Sequence, residues 1–196
     1  MNPLEFALRT IARDLDRAGK QWAVVGGLAV GARAEPRTTR DVDLAVAVAD
    51  DRSAERLVRD LQARGYSVVA VLEQQATGRL ATVRLRPPGG QEGGVVVDLL
   101  FASSGVESEV ADAAESLEIV PGLVVPVAKI GHLIALKLLA RDDRSRPQDS
   151  DDLRALVREA TEEDLLEARA ALTLIEGRGF QRGRALLDLL DDLVRT

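Results

Sequence analysis

Apolar residues recur at every second position from Val42 to Val48, at 42, 44, 46 and 48. That alternation predicts a strand with one face on a core. Asp41 and Asp43 must then project from the other face, with Cβ atoms roughly 6–7 Å apart. Just upstream, Trp22 to Val25 reads as a short apolar strand, and Gly26-Gly27 opens a helix over about residues 28–34. The N-terminal segment carries Leu4, Leu8, Ile11, Leu15 and Ala18 on one helical face, ending near Gly19. Asn2 as cap, Pro3 at the first position and Glu5 three residues after the cap mark its start. A helix over about 52–64 stops at Gly65, and strands follow over 67–72, 80–85 and 95–101. The loop Pro87-Pro-Gly-Gly-Gln-Glu-Gly-Gly94 most simply joins two adjacent antiparallel strands. Beyond Pro121 and Pro126 the pattern turns helical, over about 128–141, 149–160, 162–176 and 181–195. Thr161-Glu-Glu-Asp164 is a capping signal for the third of these helices. The expected fold class is α+β (mixed α/β). A core with a mixed sheet, completed by the 95–101 strand, spans residues 1–120, and a helical region packed on it spans 121–196.

The acids give this scaffold its candidate chemistry. Asp-x-Asp alone is common and on an edge strand is usually a solvated face. Two carboxylates held so close repel each other unless a proton or cation intervenes. All-oxygen ligands on a rigid strand suit Mg²⁺, which also takes water and substrate phosphates into its shell. Glycines at a strand-to-helix turn let backbone N–H groups approach a phosphate, and the helix N-terminus favours the anion. The later strand Val95-Val-Val-Asp-Leu-Leu-Phe101 carries a single acid, Asp98, in an apolar run. A carboxylate there is costly to bury unpaired, so it is either exposed at a sheet edge or used.

In order, Gly26-Gly27, Arg37-Thr-Thr-Arg-Asp-Val-Asp43 and the Asp98 strand resemble the polymerase-β-type nucleotidyltransferase superfamily. More narrowly the chain resembles the AbiEii/AbiGii-type nucleotidyltransferase toxins, including their MenT-like branch. Val127-Ala-Lys-Ile-Gly-His-Leu-Ile-Ala-Leu-Lys-Leu-Leu-Ala-Arg141 is similar to that family's lysine-bearing helix. Arg146-Pro-Gln-Asp-Ser-Asp-Asp-Leu153 is similar to its later segment of paired acids. The match runs over roughly residues 20–155. One departure is Leu28, where many superfamily members place Ser directly after the glycines; Thr39 is the substitute hydroxyl.

The resemblance implies a polymerase-β-like core and metal-dependent transfer of NMP from an NTP, with release of pyrophosphate. Asp41 and Asp43 would bind one or two Mg²⁺ ions, with Mn²⁺ as a substitute. Asp98 would complete a second metal site or help deprotonate the attacking hydroxyl. Gly26, Gly27, Arg37, Thr39 and Lys137 would hold the triphosphate. Lys137 read alone is as well explained by snorkelling from an apolar helix face. Asp152 matches the second acid of the family segment. Asp149 shares its helix face, and either acid could pair with Lys137 or Arg40 or sit at a helix N-terminus for the dipole. His132 is set aside as structural. The implied acceptor is a tRNA 3′ end, whose extension blocks aminoacylation and translation. The implied partner is an antitoxin, including one that modifies Thr39: a phosphate there would place about two negative charges beside the metal site.

Composition narrows the alternatives. The chain has 196 residues, long enough for one substantial core or two small ones. It lacks cysteine, which excludes disulfides and thiolate sites or nucleophiles. No run approaches the length of a membrane span, and the start lacks the basic-then-apolar order of a signal peptide, so a cytoplasmic protein is expected. The net charge of −6 argues against broad, nonspecific nucleic-acid coating, though not against gripping one RNA end. Arginines 141, 144 and 146, and again 178, 182 and 184, read as ordinary solvated loops. An acidic acceptor cleft would suit a small hydroxyl compound such as an aminoglycoside, or a protein hydroxyl. A non-catalytic module that binds a nucleotide or a partner is the third reading.

Overall fold

A computed structural model describes residues 2–36, 38–74, 77–141 and 147–195. The Asn2 side chain accepts a hydrogen bond from the Glu5 N–H at 2.8 Å, which opens helix α1 (Pro3–Arg17). Leu8, Ile11 and Leu15 of α1 are buried, as the apolar stripe requires. The chain continues through β1 (Trp22–Val25), α2 (Gly26–Arg33), β2 (Asp41–Val46) and α3 (Asp51–Ala63). It then forms β3 (Ser67–Glu73), β4 (Leu80–Arg86), β5 (Val96–Leu100) and α4 (Glu107–Asp112). A hairpin of β6 (Glu115–Val120) and β7 (Leu123–Val127) leads into α5 (Ile130–Ala140), α6 (Pro147–Glu159), α7 (Glu162–Gly177) and α8 (Leu186–Arg195). Thr161 and Asp164 form a reciprocal capping box at the start of α7.

The described strands form one seven-stranded mixed sheet in the order β3-β4-β5-β2-β1-β7-β6. Strands β2 and β5 run parallel at its centre, as do β1 and β7, while the remaining neighbours are antiparallel. Strands β4 and β5 are antiparallel neighbours, as their glycine-rich connection implies. Val42, Leu44, Val97, Leu99, Val83 and Leu85 fill one face and are almost fully buried. Helix α1 packs on β2 and β5, and α3 on β4. On the C-terminal side, α5 is the hub: it contacts α2, α6, α7 and α8, and its Leu133, Ile134 and Leu138 are fully buried.

Four features correct the sequence reading. The Asp98 strand does not complete the sheet, because β6 and β7 extend it beyond β1. Their turn is Pro121-Gly122, with Gly122 at φ +71°, and Pro126 lies within β7. Prolines disguised that hairpin as a boundary, although Val125 and Val127 alternate inward. The sequence pattern does not predict the short helix α4. Helix α2 starts at Gly26 itself. Helix α8 starts at Leu186, because Arg182 and Gly183 adopt left-handed conformations (φ +54° and +71°) that no α-helix continues.

Several arginines expected in solvated loops instead bind backbone carbonyls. Arg184 donates to the carbonyls of Leu138 and Arg141, closing the C-terminal end of α5. Arg178 donates to Gly105 O and pairs with Glu109, and Arg182 donates to Ser103 O at 3.2 Å. Arg144 and Arg146 lie outside the described residues. Arg33, at the end of α2, donates to the carbonyls of Val127 (3.1 Å) and Ala128 (3.0 Å). That clamp ties the glycine-led helix to the strand that feeds α5. No helix among the described residues is long and apolar enough to cross a membrane.

Candidate active site

Strand register brings the acids together. Asp43 on β2 lies directly beside Asp98 on β5, and Asp98 lies opposite Arg84 on β4. On the other side, Val25 of β1 lies opposite Asp43. A row of Arg84, Asp98, Asp43 and Val25 therefore crosses four strands on one face. Asp41, two residues before Asp43, points to the same face. Sequence alternation had placed Asp41 and Asp43 there, and the parallel pairing adds Asp98.

The glycine turn meets these acids. Gly26 begins α2 with φ +63°, and no side chain caps that helix. A Cβ at Gly26 would stand 2.7 Å from the Asp43 carboxyl carbon and closer still to Oδ2. The Asp43 carboxylate thus rests on the bare backbone that starts α2, next to the positive end of the helix dipole. Gly27 is buried in the first turn. Burial foremost, then the charges of Asp98 and Asp41, push the Asp43 carboxyl up from 3.8 to about 6, against the pull of Lys137 and Arg84. The half-buried Thr39 sets its hydroxyl 3.4 Å from the Asp41 carbonyl. Arg37 lies outside the described residues.

Lys137 reaches the same region from α5. Its ammonium sits between Asp149 (2.8 Å) and Asp152 (2.7 Å) of α6, so both acids of that segment engage it. All three side chains are largely buried. Replacing Lys137 with Met would leave two buried carboxylates facing each other. Urea denaturation is expected to show a loss of about 3–5 kcal/mol. Adding Asp149→Asn and Asp152→Asn is expected to restore most of that loss; failure to do so would mean the lysine matters for packing rather than charge. His132 is buried beside Glu167, and burial holds its imidazole below the usual value, as a structural histidine.

Sequence reasoning missed Arg84. Its guanidinium grips Asp98 through two bonds, of 2.8 and 2.7 Å. The pair holds Arg84 charged well above the ordinary arginine range, the Asp98 hydrogen bonds being the main cause. The signal was present in Leu80-Ala-Thr-Val-Arg-Leu-Arg86, whose polar residues alternate onto the acid-bearing face. Since Arg84 lowers the Asp43 carboxyl, Arg84→Ala is expected to raise that group further, above about 6. A carboxyl-carbon NMR titration checks this, and an unchanged or lower value would show that Arg84 does not act on Asp43.

The donor set suits a hard cation at Asp41 and Asp43, whose crowded charge a divalent ion would relieve. Asp98 commits both oxygens to Arg84, and no group of three His, Cys, Asp or Glu side chains among the described residues is arranged to hold a metal.

A family model described as nucleotidyl transferase AbiEii toxin, of type IV toxin–antitoxin systems, matches residues 9–195. The chain belongs to the AbiEii nucleotidyltransferase toxin family. The paired aspartates, glycine turn and Lys137 segment all fall within the matched span. Among solved structures, the AbiEii-family chain is similar to an antigenic nucleotidyltransferase-like protein from Paracoccidioides brasiliensis. The two share 21% identity over 98% of this chain and 92% of the other, with a TM-score of 0.57. It is also similar to the lincosamide antibiotic adenylyltransferase LnuA bound to lincomycin (13% identity, 88% and 99% of the chains, TM-score 0.46). A third similar structure is the antibiotic-resistance factor ANT(2″)-Ia (15% identity, 97% and 90%, TM-score 0.47). At 21% identity the first of these speaks to the fold alone, a nucleotidyltransferase-like one. No curated protein matches the AbiEii-family chain.

Proposed function

We propose that this AbiEii-family toxin transfers a nucleoside monophosphate from an NTP to the 3′ end of a tRNA. The observation that carries the transfer reading is the row of Asp98 and Asp43, with Asp41, set against the uncapped N-terminus of α2. Asp41 and Asp43 would hold a divalent cation, Mg²⁺ or Mn²⁺, which when bound neutralises charge on the phosphates and the departing pyrophosphate. The backbone of Gly26 and Gly27 would receive phosphate oxygens, together with the Thr39 hydroxyl and, as the resemblance implies, Arg37. Lys137 would supply positive potential while Asp149 and Asp152 fix its position. Asp98, paired with Arg84, would sit beside the attacking hydroxyl and could join the metal only by releasing that arginine. The tRNA acceptor, with its block of translation, rests on the resemblance to nucleotidyltransferase toxins. An antitoxin is the expected partner, and modification of Thr39 is one route by which it would silence the site.

The net charge of −6 favours a second reading, in which the acceptor is a small hydroxyl compound or a protein. The test is transfer of label from each of four α-labelled NTPs to total tRNA with Mg²⁺, wild type against Asp41→Ala. Label that appears on tRNA and vanishes in the variant supports the tRNA reading. Folded protein that labels an aminoglycoside or itself, but no tRNA, would replace it with the second.

A further inference from the structure

Strand register sets three carboxylates and one guanidinium on the same face of the sheet. Asp43 lies beside Asp98, Asp98 lies opposite Arg84, and Asp41 is two residues before Asp43. Lys137 brings no spare charge to them, because its ammonium lies between Asp149 and Asp152 at 2.8 and 2.7 Å. With Asp41, Asp43 and Asp98 ionised, the Arg84 charge leaves two negative charges unanswered. That is the charge one divalent cation neutralises.

A second divalent cation would have to be held through Asp98, the acid that β5 adds to the pair on β2. That carboxylate is 8% exposed, and both its oxygens already accept N–H groups of Arg84, at 2.8 and 2.7 Å. Such two-pronged pairing is the strong form of a charge-assisted hydrogen bond. The arginine is also anchored: Val83 and Leu85, its neighbours on β4, are buried in the core. Two-cation sites hold their ions about 3.5–4 Å apart. An ion placed on Asp98 would therefore meet repulsion from the first ion and from a guanidinium bonded to the same carboxylate. Guanidinium stays charged at every working pH and needs no loading from solution.

We infer that Arg84 takes the place of a second divalent cation, so that this chain works with one cation, held by Asp41 and Asp43. The inference rests on the nucleotidyl-transfer reading and deepens it. Asp98 becomes a carboxylate with a fixed counter-charge rather than a ligand shared between two ions.

The test is electron paramagnetic resonance of Mn²⁺ titrated into the full-length protein with non-hydrolysable α,β-methylene NTPs. Two Mn²⁺ ions about 3.5–4 Å apart couple their spins, whereas a single ion gives an uncoupled signal. Wild type is expected to bind one ion per complex, uncoupled. Arg84→Gln removes the guanidinium and frees Asp98, and is expected to bind two ions with a coupled signal. Arg84→Lys keeps the charge and is expected to stay at one. Asp98→Asn is also expected to stay at one, a result that does not depend on whether Arg84→Gln folds. A coupled pair in wild type overturns the inference while leaving nucleotidyl transfer standing. So does loss of the bound ion in Asp98→Asn, and so does a folded Arg84→Gln protein that still binds one ion. Absence of any Mn²⁺ and nucleotide binding by folded wild type overturns the transfer reading as well.

Discussion

Asp43→Asn is expected to raise the melting temperature of the metal-free protein by several degrees at pH 7.5 while cutting nucleotidyl transfer on the order of 10³-fold. The first effect follows from the cost of ionising Asp43 where it stands. Its carboxyl titrates near 6 in the folded chain against 3.8 in its ordinary state. The native state therefore keeps a proton that the unfolded chain releases, and stability falls as pH rises from about 4 to 6. Above pH 6 the ionised group costs about 3 kcal/mol, at 1.36 kcal/mol for each pH unit of displacement. An amide does not titrate, so the advantage of the variant is full above pH 6 and vanishes near pH 4. The second effect follows from losing a carboxylate that would hold the cation, a contribution of several kcal/mol to the barrier. Thermal melts of both proteins in chelator, from pH 4 to 8, measure the difference directly. A variant that melts below wild type at pH 7.5 would contradict the account of Asp43 as a group kept at the expense of stability.

Gly26→Ala is expected to be nearly as damaging to activity as loss of Asp43, although every acid remains. An alanine at φ +63° bears the strain of a left-handed residue, roughly 1–2 kcal/mol. Its Cβ would also stand 2.7 Å from the Asp43 carboxyl carbon, so the carboxylate must move away from the start of α2. Reactions that depend on aligned groups lose on the order of 100-fold for a displacement of about 1 Å. Gly122→Ala provides the comparison: its φ is +71°, yet nothing lies within 4 Å of the added carbon. That variant should lose a similar amount of stability and keep its activity. A Gly26→Ala enzyme with more than about a tenth of wild-type turnover would show that Asp43 tolerates displacement.

Most of the candidate site was readable because its signals are local. Asp41 and Asp43 stand out against the alternation of β2, and the Gly26 turn and Asp98 are conspicuous against apolar runs. The family resemblance supplied the order in which these pieces belong. What stayed hidden depends on pairing between distant segments. Nothing in Leu80 to Arg86 says that β4 lies against β5, so Arg84 could not be assigned to Asp98 before the register was known. Likewise both Asp149 and Asp152 meet Lys137, because α6 folds back along α5 after a connection that periodicity does not describe. The β6–β7 hairpin was hidden by its own prolines, which read as boundaries. The left-handed Arg182 has no sequence signature, so the apolar pattern predicts α8 longer than it is.

The centre of the sheet joins strands far apart in the chain. Gly26 and Asp43 come from the first quarter, Asp98 from the middle, and Lys137 with its two acids from the last third. A ribosome making this chain must therefore release Asp152 before the proposed site can assemble. Partly synthesised chains, and fragments cut between β5 and α5, carry the paired aspartates without the lysine clamp. Until α6 has emerged, the acids of β2 and β5 stand without that clamp, so the proposed site is a late product of synthesis rather than an early one.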